Sequence, residues 1–396
     1  MPKQLFYARK ARLLLPSLSF FPYLTFLRLC YIIVIWFRHN LTEGDKDMKR
    51  RVVAFTISLS MLISLLCSCS FLKKEEKRVR EYFGYFDTFS SLTSYTYDAE
   101  LFDNAADALD KLLSEYNQLF DIYHSYDGIV NLKSLNENAA KGAITLDSKL
   151  IAALDFGKEM HTLTNGHVNI ALGSVISLWH DAREYSEDFP DAAYVPDTQA
   201  INEALLHTDI NNLIIDLDAN TAEITDEALS LDLGAIAKGY VAERARELLL
   251  SMGLDSFLLN LGGNVLACGK KPDGSQWNSL IENPFKDGKG GYNGAIPISE
   301  RSLVTSGSYQ RFYAVDGKEY SHIISKDDGM PPEHFVSVSV ISRAEDSGVA
   351  DALSTALYCM PLEEGKAFAL KLDVINVIWI LPDRSVVSAS ILGGAK

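Results

Sequence analysis

Apolar residues along this chain recur at two different spacings, and each spacing predicts an element. ELFDNAADALDKLLSEYNQLFDIY (100–123) repeats them with the helical period, which predicts an amphipathic helix. SKLIAALDFGKEMHTLTNG (148–166) predicts a second helix closing on Gly166, and AYVPDTQAINEALLH (193–207) a third. After LDLGAIAKGY (231–240), the residues Val241, Ala245, Leu248, Leu249 and Met252 share one face, so a helix runs over 237–252 and Gly253 ends it. SGVADALSTALYCM (347–360) predicts another. FDTFSSLTSYTYD (86–98) alternates like a strand, and NLIIDLD and AEITD are short strand-like runs. SFLLNLGGNVLACG (256–269) reads as a buried strand with a double-glycine bend; WNSLIENP, VSVSVIS and DVINVIWILP read as further strands. Helices and strands without a regular βαβ rhythm predict an α+β fold, a mixed β-sheet with packed helices.

Charge divides the chain. Residues 1–68 carry ten Lys/Arg and three Asp/Glu, which leaves 27 basic and 49 acidic residues beyond them, a net charge of −22. A body that acidic is a poor nucleic-acid binder, because phosphate backbones demand a positive surface. Met48-Lys49-Arg50-Arg51 followed by a largely apolar run from Val52 to Leu66 has the form of a secretory signal, and the run is short for a membrane span. Ser68 directly before Cys69 resembles a bacterial lipobox, so 48–69 is expected to be a lipoprotein signal peptide with lipidation at Cys69, placing the body outside the cytoplasm on a membrane anchor. Residues 1–47 are expected to be a non-native extension ahead of a true start at Met48. SFLKKEEKRVREY makes 70–83 a charged linker, and 84–396 is then the folded domain. Cys268 and Cys359 sit in apolar contexts and are expected to be buried thiols.

Three stretches offer chemistry. Asp232 and Lys238 flank the start of the 237–252 helix, where unpaired N–H groups and a lysine can hold a phosphate; the same pattern also suits a capped helix with a surface lysine. Asp351 and Thr355 are spaced i, i+4 on one helix face, hard oxygen donors of the kind Mg²⁺ takes, or an acid favourable to the helix dipole and a core threonine. His322 lies in the β-like YSHII, as a general base or as a hydrogen-bonded structural residue. Neither a P-loop, a GxGxxG after a strand nor HExxH is present.

The order Asp232-Leu-Gly-Ala-Ile-Ala-Lys238-Gly239, Asn260-Leu-Gly-Gly-Asn264, Thr305-Ser306-Gly307, His322-Ile-Ile324 and Ala350-Asp-Ala-Leu-Ser-Thr355 resembles the FAD:protein FMN transferase (ApbE-like flavin transferase) family. FDTFSSLTSY (86–95), YHSYDGIVNLKSLN (123–136) and NGHVNIALGSVISLW (165–179) are similar to the family's first strand and two flavin-contact segments. The resemblance spans about residues 84–390 and implies that fold, with Mg²⁺-dependent cleavage of FAD, release of AMP and attachment of FMN to a Ser or Thr of an exported or membrane flavoprotein subunit. It implies His322 as the base for the acceptor hydroxyl. It also implies metal ligation by Ala235 (through its carbonyl), Asp351 and Thr355, with Gly348 a further carbonyl donor. Phe86, Tyr123, His167, Val168, Asn169, Asp232, Lys238 and Ile323 are implied as FAD contacts. Phe86 replaces the commoner Met, Asn169 the commoner Asp, and Ser325-Lys326 an acid and a proline. Two other readings share the residues: hydrolysis of FAD to FMN and AMP, and a tethered FAD-binding protein without turnover.

Overall fold

The computed structural model describes residue 54 and residues 75–390 other than 286, 293, 310 and 373–375. The expected extension (1–47) and the signal segment with Cys69 therefore lie, Ala54 apart, outside the described residues. In chain order, a hairpin of β1 (Glu76–Tyr85) and β2 (Thr88–Thr96) leads into α1 (Ala99–Phe120). The short α2 (Leu132–Glu137), β3 (Ile144–Thr145), α3 (Ser148–Leu163), α4 (Gly173–Asp188) and α5 (Thr198–Leu205) follow. Next come β4 (Leu213–Asp216), β5 (Thr221–Ile224), α6 (Ala237–Ser251), β6 (Phe257–Leu261) and β7 (Asn264–Cys268). The side hairpin β8 (Trp277–Leu280) and β9 (Ala295–Ile298) precedes β10 (Arg301–Gly307), and the side hairpin β11 (Phe312–Val315) and β12 (Lys318–Ser321) precedes β13 (Ser337–Arg343). The chain ends in α7 (Ser347–Cys359), α8 (Leu362–Ala369), β14 (Asn376–Ile380) and β15 (Val386–Ser390).

One eight-stranded sheet, ordered β1-β2-β6-β7-β10-β13-β14-β15, is the frame. The α+β class expected from the sequence stands, and within the sheet the expected mixture narrows: every described pairing is antiparallel, because hairpins and returns, not crossovers, connect the neighbours. Helices α6 and α7 cover one face, with Leu259, Leu261, Val304 and Val340 of the sheet meeting Val241, Ala245, Leu353 and Leu357. The β8–β9 hairpin covers part of the other face, where Trp277, Ile296 and Ile298 pack on Leu303, Ile341 and Ile378. Strand β13 is buried on both sides in consequence.

Two expectations need correction. The charged linker over 70–83 is in large part strand β1: Arg78, Arg80 and Tyr82 alternate inward, with Arg80 bonded to Asp107 and the Tyr82 hydroxyl to the Ala106 carbonyl of α1. It carries charge on both sides, Arg78 and Arg80 inward and Lys77 and Glu81 outward, and that hides it in a charged sequence. The compact unit accordingly begins at Glu75. The run 256–269 is two strands, since Gly262 and Gly263 (φ 57° and 94°) make the two-residue turn between the paired Leu261 and Asn264.

The tightest helix contact is where α6 crosses α7. A Cβ on Gly239 would lie 2.4 Å from the Ser347 carbonyl oxygen and 2.5 Å from the Asp351 Cβ. Gly239→Ala therefore forces the helices apart, and urea unfolding is expected to show a loss of about 1–3 kcal/mol. An unchanged midpoint would mean that the crossing is looser than described.

Candidate active site

The α6–α7 crossing delivers the first half of the site. The Gly239 N–H donates to Asp351 Oδ2 at 2.7 Å, while Glu243, one turn further along α6, accepts from the Gly348 N–H at 2.6 Å and caps α7. Burial pushes the Glu243 pKa up to about 7 against the pull of that amide and of Arg244. Gly348 is thus a packing and capping position, and it does not line the cleft described below. Asp351 is 4% exposed, and burial raises its pKa, with Lys238 and the Gly239 amide opposing. One turn along the helix, the Thr355 hydroxyl lies 3.2 Å from Ser306 Oγ of β10. The turn before α6 folds on Asp232, whose Oδ1 accepts the Gly234 N–H at 2.6 Å and whose own N–H donates to Ile170. Burial raises the Asp232 pKa as well, opposed by that amide, His180 and Lys238. The N-cap Ile236 offers no side-chain cap, the Ala237 N–H is taken by the Leu233 carbonyl and the Gly239 N–H by Asp351, so the Lys238 N–H is what the first turn of α6 leaves for an anion, beside the lysine's own ammonium.

These groups open into a cleft of about 500 Å³. The structure brings all twelve sequence-predicted residues to its wall: Phe86, Tyr123, His167, Val168, Asn169, Asp232, Ala235, Lys238, His322, Ile323, Asp351 and Thr355. Their roles in the wall differ. The Val168 side chain belongs to the core, and its N–H donates to Thr164 Oγ1. Asn169 spends its amide on the protein, accepting from the Ala171 N–H and donating to the Thr208 carbonyl; here it staples the loop. His167 has Nδ1 buried without a partner among the described residues, and burial, then Lys326, lowers its pKa. The turn after His322 is held by Ser325: its Oγ accepts from the Asp327 N–H, and its N–H donates to the Met330 carbonyl.

His322 lies just past the end of β12, with part of its ring open to the cleft. Its Nδ1 lies 3.1 Å from the Arg311 carbonyl, which can only accept, so Nδ1 carries the proton and Nε2 keeps the lone pair. Although His322 is exposed on the cleft wall, desolvation by the surrounding protein pushes the ring's pKa down to about 4; the bond to the Arg311 carbonyl works against this, and the charges of Lys238, Arg311 and Arg183 work with it. His322 is therefore an unprotonated base throughout the neutral range.

Several cleft residues carried no motif. Asp121 accepts from the Tyr123 and His124 N–H groups and the Tyr126 hydroxyl, and so shapes the aromatic loop. Burial would raise its pKa, but those bonds outweigh it and lower it. Tyr123 stacks on His180 of α4, with ring centroids 4.6 Å apart. The signal for α4 was present: Val175, Trp179 and Ala182 share a buried stripe, leaving Ile176, His180 and Arg183 to face the cleft.

Among the described residues no group of three or more His, Cys, Asp and Glu could hold a metal. Asp351 is buried and forms no ion pair among them, and it sits one helical turn from a hydroxyl. One buried carboxylate, one hydroxyl and nearby main-chain carbonyls suit a hard cation that also takes substrate oxygens.

The profile of the ApbE family matches residues 86–379. An FAD:protein FMN transferase of Treponema pallidum is 34% identical over 272 residues, 64% of this chain and 72% of the relative. One from Klebsiella pneumoniae is 28% identical over 300 residues, 76% and 88% of the two chains. Among solved structures, the ApbE protein of Thermotoga maritima superposes with a TM-score of 0.69 at 23% identity, over 79% of this chain and 96% of that one. The apo flavinyl transferase ApbE of Pseudomonas stutzeri gives 0.64 at 21% identity, over 81% and 96%. These structures share the fold.

Histidine-selective NMR tests the electrostatics of the cleft. The His322 ring, assigned by its loss in His322→Gln, is expected to stay neutral at pH 6 and to titrate near 4. A midpoint at the ordinary value of about 6.5 would contradict the described surroundings.

Proposed function

The chain belongs to the ApbE family, and we infer that its cleft transfers FMN from FAD to an acceptor protein. The observation that carries this reading is a neutral histidine, its Nε2 without a partner among the described residues, on the wall of the same cleft as the lysine at the start of α6. Lys238, through its ammonium and its main-chain N–H at the start of α6, binds and orients the diphosphate of FAD. His322 Nε2 takes the proton of the acceptor hydroxyl as its oxygen attacks the phosphorus of the FMN half. The bond from that phosphorus to the bridging oxygen breaks, the bridging oxygen leaves with AMP, and FMN remains on the acceptor as a phosphoester.

The finer assignments are part of the same proposal. The acceptor residue is a Ser or Thr. Asp351, Thr355 and the Ala235 carbonyl would hold Mg²⁺, supported by a buried carboxylate that forms no ion pair among the described residues and stands one helical turn from a hydroxyl. Bound there, the metal would neutralise diphosphate charge and act as a Lewis acid. Phe86, Tyr123, His167 and Ile323 would frame the rings of FAD. The lipobox-like Ser68-Cys69 supports an exported, membrane-anchored protein.

The test combines the soluble body, FAD, Mg²⁺ and a candidate flavoprotein domain, following acceptor mass and AMP together. Matched FMN gain and AMP release are expected. His322→Gln should lower the rate about 10²–10⁴-fold while FAD still binds, and Asp351→Asn or chelation should abolish metal-dependent turnover. AMP and free FMN without acceptor modification, across acceptors, would establish hydrolysis instead.

A further inference from the structure

The open end of the β11–β12 hairpin joins two parts of the cleft that lie 225 residues apart in sequence. Phe312 pairs with Ser321, so Arg311 and His322 face each other one step beyond the ladder. There the Arg311 carbonyl accepts from the His322 main-chain N–H at 3.2 Å and from ring Nδ1 at 3.1 Å. On the other side, the Arg311 guanidinium Nη2 donates to the carbonyls of Phe86 and Asp87, at 3.3 and 2.9 Å.

Those two carbonyls form the turn of the β1–β2 hairpin. Phe86 and Asp87 have φ of 52° and 50°, a left-handed pair that such a hairpin needs and that glycine or asparagine adopts most readily. Asn117 of α1 holds the turn from its other side, accepting the Phe86 N–H at 2.8 Å. The turn and His322 both line the cleft. One residue thus grips a strained wall with its side chain and the base with its main chain. Both bonds leave one terminal nitrogen, Nη2, whose two N–H groups the planar guanidinium fixes in its own plane; an ammonium group carries the same charge without that fixed plane.

We propose that Arg311 is a positioning residue for the transfer: by tying the Phe86–Asp87 turn to the strand end that carries His322, it fixes the ring's orientation toward the acceptor hydroxyl. This rests on the reading of His322 as the base.

The experiment compares wild type, Arg311→Lys and Arg311→Lys/Asp87→Gly, each checked for an intact fold by circular dichroism. Three quantities are measured: kcat for AMP release with acceptor present, FAD affinity by direct binding, and the His322 tautomer by ¹⁵N NMR. Arg311→Lys is expected to lower kcat about 10- to 100-fold, to leave FAD affinity within about threefold, and to replace the single Nδ1–H tautomer by a mixture. Asp87→Gly in that background gives a turn that needs no grip, and it should recover much of kcat and the single tautomer. Wild-type kcat in Arg311→Lys would overturn the proposal, since charge alone would suffice. A loss of FAD affinity with unchanged kcat would make Arg311 an FAD ligand instead. If wild type itself releases no AMP, the functional reading fails separately. The tautomer spectra then still decide the tie, and an undisturbed Nδ1–H signal in Arg311→Lys would refute it.

Discussion

A single hydrogen bond between two crossing helices organises this molecule: the Gly239 N–H on the buried carboxylate of Asp351, 112 residues away. It forms only because position 239 has no side chain, which lets α6 lie against the backbone of α7. Everything the cleft needs on that side follows from the contact. Lys238 precedes the crossing by one residue, Ala235 and Asp232 form the turn before it, and Thr355 stands one turn beyond Asp351. The large sheet serves as the bed on which the two helices are held, with Ser302 of β10 bonded to Ser347 at the start of α7.

The electrostatics share one origin. Desolvation raises the pKa values of Asp232 and Asp351 and lowers that of His322, because a protein wall disfavours charge of either sign. A carboxylate in that condition gains from an incoming cation, and an imidazole in that condition is ready to accept a proton. The cations Lys238, Arg183 and Arg311 reinforce the second effect and give a diphosphate its attraction. The charge of the cleft thus suits the anionic substrate and neutral base of the proposed transfer.

Much of this was legible in the sequence, and what was missed has physical reasons. Helices α1, α3 and α6 showed themselves because each buries one stripe, α7 was read as a helix although it is buried on nearly every side, and Asp351–Thr355 was visible because i, i+4 residues share a face. Strand β1 was hidden because its inward positions include Arg78 and Arg80, so charge stands on both its sides. Helix α4 was passed over as a contact segment, although Val175, Trp179 and Ala182 kept the helical period. Arg311, Arg183 and Asp121 left no trace, since an isolated charged residue has no spacing to read. Asn169 and Gly348 were visible as motif positions, but the bonds from the Asn169 amide to the Thr208 carbonyl and from the Gly348 N–H to Glu243 were not, since those partners are distant in sequence.

The measurement that reaches the central claim most directly is a crystal structure of the protein soaked with FAD and Mn²⁺, with the metal located by anomalous scattering. The account predicts a peak against the carboxylate of Asp351 and the hydroxyl of Thr355, with the diphosphate of FAD between that peak and Lys238. A peak elsewhere, or FAD bound with its diphosphate away from the α6–α7 crossing, would contradict it.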